Sequence, residues 1–100
     1  MMADLSTIID AVVDASGVPR TEVIGRRQQA KTVRARQLVC WLAKEYTPMS
    51  FPEIGRSFGD RDHTTIIHGC NQWDVYRRFE PYNEWERVAV VQLEQGEVVG

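Results

Sequence analysis

Two helix signals lie close together between residues 50 and 79, with a glycine-containing turn between them, and this pattern limits the fold most. Ser50 and Glu53 have the spacing of a capping box, in which each side chain accepts a hydrogen bond from the other residue's backbone N–H. Pro52 falls in the first turn, where its missing N–H costs nothing. The short helix is expected to end at Gly59, with a second helix close behind. Two helices joined by such a turn predict a helix-turn-helix.

The second helix is expected to begin at Asp62 or His63 and to run to about Phe79, because Pro81 cannot continue it. At helical spacing, its apolar residues form one stripe with two flanking positions: Ile66, Cys70 and Trp73, beside Ile67 and Tyr76. Gly69 removes bulk next to this stripe. The sequence therefore predicts that another helix approaches closely at Gly69.

Apolar periodicity predicts four more helices, at about residues 5–16, 20–24, 32–46 and 83–93. The candidate buried residues of the last two are Val33, Leu38, Trp41, Leu42 and Tyr46, then Trp85, Val88, Val90 and Val91. Gly17, Gly25 and the Thr47-Pro48 pair mark three helix ends. The predicted fold class is all-α, with about six helices. One domain at residues 1–94 is expected, with a tail at 95–100.

Charge is distributed unevenly along this chain of 100 residues, whose net charge is −2. Between residues 20 and 44, seven bases against one acid give +6, so the remaining residues carry −8. The bases are Arg20, Arg26, Arg27, Lys31, Arg34, Arg36 and Lys44. A local field of this kind favours a polyanionic partner, although a solvated basic helix face has the same pattern. No apolar run reaches membrane-spanning length, and two cysteines make no disulfide framework.

The polar residues around Asp62 could suggest a metal site or a nucleophile. His63 and His68 are five residues apart, about 140° around a helix, whereas two ligands on one helix need spacings of three or four. Neither cysteine stands at a helix start, where a reactive thiolate would be stabilised. No nucleotide-binding or hydrolase motif occurs. We therefore expect no enzyme activity, no metal and no cofactor.

The leading end of the second helix presents the side chains that the core does not use: Asp62, His63, Thr64, Thr65 and His68. A helix-turn-helix directs this end into the major groove of DNA. Threonine can contact a base edge or a thymine methyl, and aspartate can accept from a cytosine amine. The simpler alternative is a surface helix end at which Asp62 or Thr64 acts only as the cap.

Two segments, "VRARQLVCWLAKEYT" and "SFPEIGRSFGDRDHTTIIHGC", closely resemble the C-terminal DNA-binding domain of the bacterial replication initiator DnaA. A looser resemblance extends from about Leu5 to Arg77. It implies a domain of the Trp-repressor helix-turn-helix type that binds a short asymmetric duplex sequence, the DnaA box. The expected partner is thus double-stranded DNA.

The resemblance also implies roles for individual residues. Asp62, His63 and Thr64 would contact base edges, and Thr65 and His68 would contact the sugar-phosphate backbone or thymine methyls. The residues expected to contact or shape the DNA backbone are Lys44, Ser50, Pro52 and Arg61. Arg36 would enter the neighbouring minor groove, and Arg34 lies near the start of the same helix.

The sequence departs from the family at Gln28, which stands where a second minor-groove arginine is expected. Either Arg27 or Lys31 then compensates for the missing charge, or the reading of A·T pairs on that side is weaker. No nucleotide-binding segment is present, and the opening Met1-Met2 suggests a stand-alone domain. We therefore expect a cytoplasmic, nucleoid-associated DNA-binding protein that regulates replication or transcription without ATPase activity.

A protein-interaction or dimerisation module is the alternative function, with replication or transcription proteins, or a second copy, as partners. Its surface would combine the acidic termini with aromatic side chains, although core packing is the simpler use of the aromatic residues. The residues in question are Trp73, Tyr76, Phe79, Tyr82 and Trp85.

Overall fold

The computed structural model describes residues 3–99, with side chains described for residues 3–95. Within this part of the chain there are six helices and no strand, which confirms the all-α prediction. The helices are α1 (Leu5–Ser16), α2 (Arg20–Ile24), α3 (Ala30–Tyr46), α4 (Phe51–Ser57), α5 (His63–Tyr76) and α6 (Tyr82–Val99). No described helix combines the length and the apolar character that a membrane crossing needs.

The helix starts follow local side-chain chemistry. The Asp4 carboxylate accepts a hydrogen bond from the backbone N–H of Thr7 at 2.8 Å and begins α1. Both bonds of the predicted capping box are present at the start of α4, from Ser50 N–H to Glu53 Oε1 at 2.9 Å and from Glu53 N–H to Ser50 Oγ at 3.2 Å. At the end of α1, Gly17 has φ 76°, a left-handed conformation that glycine adopts without strain.

The core forms around α3, which packs against α1, α2, α4 and α5, while α6 covers the other side of α1. Buried side chains come from every helix, among them Ile8, Val12, Val23, Leu38, Leu42, Ile54, Ile66 and Trp73. The predicted close approach at Gly69 is confirmed. A Cβ on Gly69 would lie 3.0 Å from Cys40 Sγ, so the absence of a side chain allows α5 to cross α3 closely.

Several predicted helix limits were wrong. The third helix begins at Ala30 rather than at residue 32, and α5 ends at Tyr76 rather than at about residue 79. An ion pair between the Arg77 guanidinium and the Glu86 carboxylate, at 2.7 Å, ties the end of α5 to α6 and accompanies the earlier chain reversal. The backbone of α6 continues to Val99, through most of the predicted tail, and residue 100 lies outside the described residues.

The predicted core of the last helix needs correction too. Trp85, Ala89 and Leu93 are buried, one turn apart on the face that packs on α1, whereas Val91 is 41% exposed. Val91 lies about 200° around the helix from Ala89 at 100° per residue, so it faces solvent. Eight other predicted core residues are half-buried: Val33, Trp41, Tyr46, Ile67, Cys70, Tyr76, Val88 and Val90.

The aromatic residues near the C-terminus pack on one another rather than forming an exposed surface. Trp73 stacks on Trp85 with ring centroids 6.4 Å apart, and Tyr82 meets Trp85 edge to face at 5.1 Å. The indole N–H of Trp73 donates to Glu86 Oε1 at 2.8 Å. Of the five aromatics, only Phe79 is largely exposed, at 58%, which agrees with core packing as the simpler use of these side chains.

Candidate nucleic-acid interface

The turn between α4 and α5 is closed by backbone geometry that small residues permit. Gly59 has φ 68° and Asp60 has φ 54°, so two successive residues are left-handed. The Arg61 N–H donates to the Gly55 carbonyl at 2.7 Å, and a Cβ on Gly55 would lie only 2.1 Å from the Arg61 carbonyl oxygen. The chain therefore folds back on α4 at a position where only glycine fits, and this contact sets the direction of α5.

The five polar residues of the leading end of α5 are all exposed: Asp62, His63, Thr64, Thr65 and His68. Ile66 and Gly69, on the opposite side of the same turns, are buried against the core. The structure thus brings together, on one exposed surface, the side chains that the sequence assigned to the DNA bases and backbone.

Asp62 has a structural task within this group. Its Oδ1 accepts from both the backbone N–H and the hydroxyl of Thr64, each at 2.8 Å, and lies 3.3 Å from His63 Nδ1. These hydrogen bonds from Thr64 lower the pKa of Asp62, and the nearby His63 adds to the effect. Asp62 therefore caps α5 as a carboxylate and orients its two neighbours, leaving His63 Nε2 and the Thr64 methyl directed away from the cap.

The segment Gly25–Gln29, which we call the basic loop, lies beside this leading end. A cavity of about 540 Å³ separates the two. Its lining combines cationic, amide, hydroxyl and imidazole groups from the loop, α3, the turn and α5, including Arg26, Gln28, Arg36, Arg61, Thr65 and His68. The carboxylates of Asp60 and Asp62 and apolar side chains such as Phe58 complete the lining, so cationic, anionic and apolar groups all border the cavity.

Arg36, predicted to enter the minor groove, does not have the position that this role requires. Its side chain is only 9% exposed, beneath the basic loop. Its Nε donates to the Val23 carbonyl at 2.9 Å and its Nη2 to the Glu22 carbonyl at 2.7 Å, while Nη1 donates to the Arg27 carbonyl. The guanidinium thus holds the loop backbone instead of projecting into solvent, and we correct the prediction accordingly.

Arg61 is likewise turned inward, from the other side of the cavity. Its guanidinium donates to the carbonyls of Phe58 at 2.7 Å, Ile24 at 3.0 Å and Gly25, and it lies over the Phe58 ring. Arg26 makes the return contact, from its Nη2 to the Gly59 carbonyl at 2.7 Å. Sequence reasoning missed this pair of contacts, because no local pattern indicates which carbonyls an arginine will find across the fold.

The three arginines also affect one another electrostatically. Burial lowers the pKa of both Arg36 and Arg61, and the positive charge of Arg26 lowers both further. Guanidinium groups stay charged in proteins, and the nearby carboxylate of Glu22 partly offsets the repulsion at Arg36.

The remaining predicted cations divide into two groups. Arg27, Lys31 and Lys44 are exposed, and the Lys44 ammonium lies 4.6 Å from the centre of the Phe51 ring. Arg34 is placed elsewhere, since its guanidinium stacks 3.6 Å from the centre of the Tyr76 ring and donates to Gln37. Tyr76 ends α5, roughly 20 Å along the helix from its leading end at 1.5 Å per residue, so Arg34 is not part of this surface.

Ser50 and Pro52 are both exposed at the start of α4. The Ser50 hydroxyl oxygen is occupied by the capping box, while Pro52 projects no polar group. These residues can shape a contact with a DNA strand at the end of α4.

The described residues contain no group of three histidine, cysteine, aspartate or glutamate side chains that could hold a metal ion. Burial raises the pKa of the Cys40 thiol to about 12 and that of the Cys70 thiol to about 11, so both are protonated at neutral pH. The exposed groups of the surface are suited to recognition through hydrogen bonds and charge.

Two helices joined at a glycine-stabilised turn, with an exposed polar leading end flanked by cations, define a helix-turn-helix protein. The family described as the bacterial dnaA protein helix-turn-helix matches residues 5–72 of the chain. The chain therefore belongs to the bacterial DnaA helix-turn-helix family. It is a DNA-binding helix-turn-helix domain.

Individual relatives agree with this assignment. The chain is 51% identical over 59 residues to the chromosomal replication initiator protein DnaA of Azoarcus sp. (strain BH72), covering 59% of this chain and 11% of that protein. It is 35% identical over 77 residues to the DnaA of Caulobacter sp. (strain K31), covering 77% of this chain and 16% of that protein. It is 53% identical over 55 residues to the DnaA of Agrobacterium fabrum. The chain thus spans less than a fifth of the length of these relatives.

Proposed function

We propose that the protein binds duplexes containing a DnaA-box-like sequence, with the leading end of α5 in the major groove. The observation that carries this proposal is the exposed group from Asp62 to His68 beside the cavity. A sugar-phosphate strand separates the major from the minor groove of a duplex. A strand lying over the cavity would put the basic loop at the minor groove that adjoins the major groove occupied by α5.

Within the major groove, His63 and Thr64 supply the base contacts in this proposal. The outer imidazole nitrogen of His63 can donate to or accept from a base edge, and the Thr64 methyl can lie on a thymine methyl. Asp62 holds both in place through Oδ1, and its second oxygen can accept from a cytosine amine. Thr65 and His68 border the cavity, where their polar groups would meet the strand.

Exposed cations supply the phosphate contacts. Arg27 and Lys31 would act on the loop side, and Lys44, with Ser50 and Pro52, on the α4 side. Three phosphates neutralised by these cations on duplex DNA give a log–log dependence of affinity on salt of about −3. Arg36 and Arg61 contribute charge to this field without direct contact.

Site occupancy would be the means of regulation. A domain that binds a DnaA box competes there with a full-length initiator or recruits replication or transcription proteins, without ATPase activity of its own. Its relatives carry the name of chromosomal replication initiators, which supports a role at origins or at promoters that contain such boxes. The protein would act in the cytoplasm, on the nucleoid.

The test is a fluorescence-anisotropy titration of the purified chain with a box duplex and with a scrambled duplex, at several salt concentrations. We expect a preference for the box and the salt dependence given above. The His63→Ala, Thr64→Ala double variant should lose the box preference and keep the wild-type melting temperature. The matched control replaces the exposed pair Asp74 and Val75, at the other end of α5, and should bind as the wild type does.

Equal affinity of the wild type for the box and for scrambled DNA would refute the sequence-specific proposal. Normal box binding by the double variant would show that the leading end of α5 is not the base-contacting element.

A further inference from the structure

The basic loop and the helix-turn-helix are joined by hydrogen bonds in both directions. Arg61, in the turn, donates to the carbonyls of Ile24 and Gly25 at the loop. Arg26, in the loop, donates to the Gly59 carbonyl in the turn. Arg36, which is buried beneath the loop, donates hydrogen bonds to the carbonyls of Val23 and Arg27. We call these three residues the arginine strap.

The arginine strap supplies hydrogen bonds that fix the backbone of the basic loop. Residues 25–29 belong to no helix, and an irregular segment of this kind normally samples many conformations. Here the guanidinium groups of Arg36 and Arg61 donate hydrogen bonds to carbonyls at the end of α2 and within the loop. A guanidinium has a rigid planar set of donors, whereas a lysine ammonium presents one compact charge. The arrangement therefore depends on arginine geometry as well as on positive charge.

We propose that Arg36 and Arg61 are positioning residues that hold the basic loop at a fixed distance from α5, so that the domain contacts the two grooves in one register. This inference rests on the proposed function, because the register matters only if both elements meet DNA. A segment already held in its bound conformation loses less entropy on binding. Loss of the strap should therefore abolish the sequence preference contributed by the loop and leave that of α5.

The experiment uses the full chain and a set of duplexes, each carrying one base-pair change across the box. The measured quantity is the penalty, which is the ratio of the Kd for the changed duplex to the Kd for the intact box. A specific contact typically gives a penalty of about 5- to 150-fold. Positions whose penalty falls in Gln28→Ala are assigned to the loop, and positions whose penalty falls in His63→Ala are assigned to α5.

The key variant is Arg61→Lys, which keeps the charge and loses the directed bonds. We expect its loop penalties to fall below about 3-fold, while its α5 penalties stay within about two-fold of wild type. Arg36→Lys should behave alike, and Arg78→Lys, an exposed position beyond the end of α5, serves as the matched control. If Arg61 were needed only for folding, or only contacted a phosphate, its substitution would lower the affinity for every duplex by the same factor. Every penalty would then stay unchanged.

Hydrogen exchange of the free protein provides a readout that does not involve DNA. In Arg61→Lys, the amide of Gly25, which donates to the Thr21 carbonyl at 3.0 Å, should exchange faster than in the wild type, while those of Ile66 to Trp73 keep their rates. If Arg36→Lys fails to fold, Arg61→Lys and this readout still decide the matter.

The inference would be overturned if Arg61→Lys left both the loop penalties and the exchange rates unchanged. It would also be overturned if Gln28→Ala changed the penalty at no position of the box. Absence of any box preference in the wild type would instead refute the proposed function. Exchange would then still show whether the strap holds the loop.

Discussion

The crossing of α5 over α3 at Gly69 yields a prediction whose sign depends on one neighbouring atom. Gly69→Ala should gain about 1 kcal/mol from helix propensity. The new Cβ would lie 3.0 Å from Cys40 Sγ and 3.3 Å from Cys40 Cβ, closer than ordinary contact. Cys40 is buried in a close-packed core and has little room to move. Overpacking of this kind costs about 1–3 kcal/mol, so the net effect should be a destabilisation of up to about 2 kcal/mol.

In a Cys40→Ala background the 3.0 Å contact with sulfur is absent and only the 3.3 Å contact with the Cβ of residue 40 remains, so the same Gly69→Ala change should be close to neutral. The assay is urea unfolding of the wild type, both single variants and the double variant, followed by circular dichroism. The double-mutant cycle should give a coupling of roughly 1–2 kcal/mol in favour of the double variant. An equal effect of Gly69→Ala in the two backgrounds, or a stabilisation in the wild type, would refute this account of the crossing.

Three further predictions concern the loop, the turn and the cap. Gln28→Arg should restore a loop cation, tighten box binding at low salt and steepen the salt dependence by about −0.9; titrations at several salt concentrations that give an unchanged slope would contradict this. Gly55→Ala would put a Cβ 2.1 Å from the Arg61 carbonyl oxygen, so thermal melts and anisotropy should show lower stability and lost box binding together. Hydrogen bonds from Thr64 lower the pKa of Asp62 in the folded state. These bonds therefore stabilise the folded protein fully when the pH is above the ordinary aspartate pKa near 4, and this stabilisation is lost as the pH falls through the lowered pKa. Asp62→Asn should therefore flatten the fall in melting temperature between pH 4 and 2, and curves parallel to those of the wild type would be evidence against this role.

Much of the fold could be predicted because its signals are local. The capping box at Ser50, the Asp62 cap and the αL glycine at Gly17 each depend on residues within one turn, and each is present in the structure. The end of α5 and the buried face of α6 depend on a partner distant in the sequence. The Arg77–Glu86 ion pair accompanies the end of α5, and α6 packs on α1; neither contact is visible in sequence periodicity.

The candidate site divides in the same way. The exposed polar residues at the start of α5 could be found from the sequence, because the apolar stripe of one helix fixes which side chains remain outside. The positions of Arg36 and Arg61 could not, since an arginine in a basic segment is expected at the surface. Only the folded chain shows that carbonyls of the basic loop face them and that the two arginines hold the loop instead of projecting from it.

The most direct test of the central claim is selection of bound sequences from a random duplex library with the purified chain. The account predicts enrichment of one asymmetric motif that resembles the DnaA box, and loss of that motif when His63 and Thr64 are both replaced by alanine. Failure to enrich any motif, or recovery of the same motif by the double variant, would contradict the assignment of base contacts to the leading end of α5.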